Sequence, residues 1–152
     1  MNVVGVLVRP QAKVWATMRA TNRMFRFLGI VLILAHLAIS TVHGLAHQGA
    51  MVALTTFGYV YVLVVITLAP LVAGALLLSR WAKRGALLFA LSMFGSFVFG
   101  GWYHFLSATT DHVSQVHGSW RSTFLWTAIS LAVVEFVGTA LGAWTFRSLG
   151  KS

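Results

Sequence analysis

Four apolar runs dominate this chain, at about 27–45, 51–78, 85–106 and 124–146. A bilayer core is ~30 Å thick, and a helix needs about 20 residues to cross it. Inside lipid every backbone polar group must find its partner within the protein, and a helix achieves this within one segment. Only 9% of the residues are charged, whereas a soluble domain carries about 25%. The expected fold is all-α: an integral membrane four-helix bundle occupying residues 27–146 as one domain. Residues 1–26 form a basic N-terminal segment and 147–152 a cytoplasmic tail.

The basic residues orient the bundle. Arg9, Lys13, Arg19, Arg23 and Arg26 precede the first run. Arg80, Lys83 and Arg84 separate the second and third, and Arg147 and Lys151 follow the fourth. Arg121 alone falls on the other side. Basic residues collect in cytoplasmic loops, so both termini are expected inside, N-in/C-in. This also accounts for the net charge of +9 without nucleic acid as a partner. Between Gln11 and Arg26, Arg19, Arg23 and Arg26 share one helix face, while Val14, Trp15, Met18 and Phe25 favour the other. That is the pattern of an amphipathic interfacial helix lying on anionic lipid headgroups.

Ser92, Ser96 and Gly100 repeat every four residues in the third run, and Gly138 and Gly142 form a GxxxG in the fourth. Small residues let helix backbones approach closely in lipid, so the third and fourth spans are expected to meet there. A homo-oligomer through GxxxG is the alternative. Pro70 removes a backbone donor inside the second span and predicts a kink.

The histidines carry the chemistry. With both termini inside, His43, His47, His104, His112 and His117 all fall near the outer face, together with Asp111. At 100° per residue, His36, His43 and His47 lie within roughly 20° of one stripe of the first helix. His43 and His47 have the i, i+4 spacing that brings two imidazoles to one metal. Neutral imidazole suits copper, zinc and iron. The ligand pool is therefore His43, His47, His104, His112 and His117, with Asp111 as a ligand or as a carboxylate that orients a ring. A b-type haem between two helices is the related option, with Trp102, Tyr103, Phe105 and Trp120 as apolar walls. Zero cysteines exclude thiolate sites, and no CxxCH is present for covalent haem.

His36 and Glu135 fall near the middle of their spans. Strongly charged side chains at the bilayer centre cost ~2.5–3.5 kcal/mol on insertion scales and usually face the bundle interior. The pair is the candidate catalytic element, as a proton relay or as support for a ligand. Tyr59, Tyr61, Thr127 and Ser130 are candidates to join it.

The chain is similar in outline to small membrane cytochromes and histidine-rich membrane oxidoreductases, a likeness of architecture that carries no residue roles. The leading expectation is a small membrane protein binding a transition metal or haem at its outer end, with redox-linked activity. Two alternatives remain: an accessory subunit of a larger membrane complex, and a proton-linked transporter or sensor built on His36 and Glu135.

Overall fold

The structure, a computed structural model, describes residues 4–150, with side chains described from residue 20 onward. The side chains of Arg9, Lys13, Val14, Trp15, Met18 and Arg19, and all of Lys151, lie outside the described residues. Among the described residues every regular element is helical: α1 (Val4–Gly49), α2 (Thr56–Leu78), α3 (Ala82–Leu106) and α4 (Arg121–Ser148). Each contains a stretch long and apolar enough to span a membrane.

Three boundaries differ from the sequence expectation. The helix α1 continues past Leu45 to Gly49, with His43, Ala46 and His47 buried along its last turns. It also runs without a break from Val4, so no turn separates the basic segment from the first span. The second span begins at Thr56, not at Met51. Met51 takes a left-handed φ of 56° and ends the turn after α1, and the Thr55 hydroxyl accepts from the Gly58 amide to cap α2.

Two stretches widen into π turns, Val62–Leu68 in α2 and Trp102–Leu106 in α3. The first has a local cause. Pro70 has no amide to give the Ile66 carbonyl, and its ring would crowd that carbonyl in a regular α-helix. Widening moves the bonds to i−5 spacing, as in Ala69 N–H to Val64 O.

Around the bundle the order is α1, α4, α3, α2, and α2 returns to α1 chiefly through Ala69–Leu78. One end is basic. There the Arg26 guanidinium donates to the Leu77 carbonyl at 2.5 Å and to Ser79 at 3.4 Å, satisfying carbonyls left open at the end of α2. The histidines 43, 47 and 104 sit at the opposite end. The central core joins Ile33, Ala73, Leu77, Ala86, Phe89 and Met93. A smaller core of Ala46, Val116 and Phe124 holds the 107–120 loop against the histidine end.

The small-residue stripes lie in the α3–α4 contact. An ideal Cβ at Gly142 would come within 2.8 Å of the Ala90 amide nitrogen, and one at Gly138 within 2.9 Å of Met93 Cγ. Ser92 and Ser96 are buried there and return their hydroxyl protons to the Phe89 and Ser92 carbonyls. The outer surface is apolar, with Leu34, Phe57, Leu91, Phe94, Trp126, Phe136 and Trp144 exposed, while His36, Ser96 and Glu135 are buried.

Candidate metal centre

Three histidines converge at the non-basic end. His43 and His47 come from adjacent turns of α1, and His104 comes from the π turn that closes α3. A π turn holds more than four residues, so it shifts the helical phase and turns His104 inward. One ligand atom from each of the three lies within 4.8 Å of the others, and all three residues are buried. His43 Nε2 and His104 Nε2 are 3.1 Å apart.

The second nitrogen of each ring fixes its tautomer. The Thr127 hydroxyl gives its own proton to the Thr123 carbonyl at 2.6 Å, so its oxygen accepts His43 Nδ1–H at 2.8 Å. His47 Nδ1–H donates to the Val52 carbonyl at 3.3 Å. His104 Nδ1–H donates to the Asp111 carbonyl at 3.1 Å. With every Nδ1 protonated, every Nε2 presents a lone pair. Two lone pairs face one another at 3.1 Å between His43 and His104, an arrangement that a cation between them stabilises.

Asp111 adds a fourth acceptor. The 107–120 loop folds back over α3, with Val113 N–H donating to the His104 carbonyl. This carries the Asp111 side chain under the rings. Its Oδ1 lies 3.4 Å from His47 Nε2 and 3.3 Å from His104 Nδ1, yet it is buried and lacks an aligned hydrogen bond. An acceptor buried without a donor costs about 1–3 kcal/mol, and a bound cation removes that cost. Phe124, fully buried, walls the site with ring centroids 4.8 Å from His43 and His47 and 5.3 Å from His104.

The other two histidines of the expected ligand pool do not join. His112 spends Nε2–H on the Phe105 carbonyl at 3.2 Å, and its Nδ1 accepts from the Ser114 amide. It caps α3 and keeps no free lone pair. His117 is exposed and donates Nδ1–H to the Gln115 carbonyl at 2.6 Å. Of the aromatic residues expected to wall a haem, Trp102 and Trp120 are exposed and Phe105 meets the His104 ring edge-on at 6.4 Å, while Phe124 forms the main wall. Trp120 instead packs on the end of α1, over Gly49, where no Cβ would fit.

No family model matches the chain, and no curated protein or solved structure is significantly similar to it. The chemistry of the site therefore carries the functional reading.

Deeper in the bundle, His36 Nε2 and Glu135 Oε1 are 3.1 Å apart, both buried. Helices α1 and α4 bring them together, as their matched depths predict. Thr127 pairs with His43 rather than with this couple, and Tyr61 donates to the Gly95 carbonyl at 3.1 Å. Between the trio and Glu135 lies a cavity of about 400 Å³, bounded by Ser40, Val62, Ile66, Ser96, Gly100 and Leu131. His43, His47, His104 and Glu135 all reach its wall.

Proposed function

We propose that this chain is a membrane-embedded transition-metal protein whose single ion is held by Nε2 of His43, His47 and His104. The observation that carries this reading is the convergence of three imidazoles beside a buried carboxylate oxygen that lacks an aligned hydrogen bond. Metal–imidazole bonds of ~2.0–2.1 Å put two ligands of one ion roughly 2.9–3.4 Å apart, which accommodates the 3.1 Å between His43 and His104. The ligand atoms of the whole trio lie within 4.8 Å of one another, so the rings would draw together around the ion. Imidazole donors favour copper, zinc or iron over calcium and magnesium.

Three protein ligands leave a position open, the arrangement of catalytic rather than structural sites. Here the open side faces the cavity. An ion so placed supplies Lewis acidity to whatever oxygen enters. The Asp111 main-chain carbonyl orients His104, and its carboxylate balances the ion's charge. The bundle crosses the membrane with its basic end in the cytoplasm, which sets the ion near the outer surface.

Equilibrium dialysis of the detergent-purified chain against cobalt or zinc tests this reading. One ion per chain is expected, with stoichiometric uptake lost in His43→Ala and His104→Ala. Failure of the unaltered chain to take up any ion contradicts it.

A further inference from the structure

The cavity below the trio has its own polar end. Glu135 gives one oxygen, Oε1, to His36, and its carboxyl also reaches the cavity wall. The Ser40 hydroxyl, also on the wall, is buried with no partner. A pair such as His36–Glu135 is a poor stability device. Interhelical hydrogen bonds in membranes average ~0.6 kcal/mol, while strongly charged groups at that depth cost ~2.5–3.5 kcal/mol. Its position beside a cavity points to a task.

Gly100 connects the two ends. The position its Cβ would take lies 3.7 Å from His104 Cδ2 and 4.0 Å from Glu135 Oε2. The missing side chain leaves a gap with the edge of the metal ligand on one side and the carboxyl on the other. Most of the remaining wall is hydrocarbon, including Val62, Ile66 and Leu131, with Gln48, Tyr59 and Ser96 also on it. Lipid-facing access comes from the helix order. The first half of α2 stands apart from α1, and between them Met51 and Tyr59 line the cavity while remaining exposed.

We infer that this cavity binds a lipid-dissolved molecule bearing a hydroxyl group, of the alcohol or phenol class, with its oxygen in the gap over Gly100. A hydroxyl is the group that serves both sides. Its oxygen lone pair faces the ion, and its O–H donates to Glu135. An ether offers the lone pair alone, and a hydrocarbon offers neither. The inference rests on the metal reading for the ion at the head of the pocket, and on Glu135, Ser40 and Gly100 for the pocket itself. The ligand enters between α1 and α2 from the bilayer.

The probe is 4-fluorophenol, compared with 4-fluoroanisole, which keeps the oxygen and loses the donor. Fluorine NMR of the full chain in detergent, cobalt-loaded and metal-free, reads binding. Cobalt content is measured on the same samples. Saturable binding of the phenol is expected, at least tenfold tighter than the anisole. Gly100→Leu fills the gap and raises the phenol Kd more than tenfold while cobalt uptake persists. Gly100→Ala, whose added carbon makes only ordinary contacts, folds and shows a smaller rise. Equal binding of phenol and anisole, or phenol binding unaffected by Gly100→Leu, overturns the inference. Absent cobalt uptake with saturable, phenol-selective binding in the metal-free chain overturns the metal reading and leaves the hydroxyl pocket supported.

Discussion

At the scale of single residues, the site is a problem of lone pairs. Three histidines each commit Nδ1–H to a protein acceptor, and the three acceptors differ: a hydroxyl, a carbonyl of the turn after α1, and a carbonyl of the 107–120 loop. Each orients one ring, and partners of this kind typically contribute 10–100-fold to metal affinity. Thr127→Val is therefore expected to weaken cobalt binding by about 10–100-fold, and Asp111→Asn, which keeps the main-chain carbonyl and removes only the charge beside the ion, to weaken it less, both read by competition with a chelator of known affinity. His112→Ala and His117→Ala leave the stoichiometry at one ion, because neither ring presents a lone pair to the site.

At the scale of elements, close packing and irregular turns do different work. Gly142 lets α4 meet the backbone of α3 at Ala90, and backbone cannot move aside as a flexible side chain can. Gly142→Ala is expected to destabilise the bundle by about 1–3 kcal/mol through overpacking, measured by unfolding in mixed detergent. Gly44→Ala, in open space on the same kind of helix, is expected to be neutral or to add up to about 1 kcal/mol. The GxxxG and the serine stripe were readable as packing signals because they repeat at helical spacing. His43 and His47 were readable for the same reason, and the meeting of His36 with Glu135 followed from depth. The π turns were not readable. One arises from Pro70 and redirects Val62 and Ile66 toward the cavity, and the other turns His104 inward, while periodicity assumes an unbroken α-helix. The fold of 107–120 was equally hidden, since it depends on which open carbonyls of α3 the loop covers. His112 took that role and Asp111 was carried to the rings, a division that spacing alone does not encode.

At the scale of the molecule, polarity is inverted relative to a soluble domain. Large apolar side chains face outward along all four helices, and the buried interior holds six of the polar positions that matter: His36, His43, His47, His104, Asp111 and Glu135. Lipid is the solvent that suits this surface. Six of the seven basic residues with described side chains, Arg23, Arg26, Arg80, Lys83, Arg84 and Arg147, fall at the end opposite the trio and Arg121 alone at its end, which predicts an outward-facing metal centre. The chain has no cysteine, so single introduced thiols report orientation cleanly. In sealed cells, Ser119→Cys is expected to react with a membrane-impermeant maleimide, and Arg80→Cys to react only after lysis. The reverse pattern would invert the topology.

The central claim is that His43, His47 and His104 meet on one ion. X-ray absorption at the metal edge of the zinc-loaded, detergent-purified chain tests it most directly. The expected spectrum shows nitrogen and oxygen neighbours at ~2.0–2.1 Å with the multiple scattering of three imidazoles, falling to two in His104→Ala. A spectrum without imidazole scattering, or one unchanged by His104→Ala, would contradict the account.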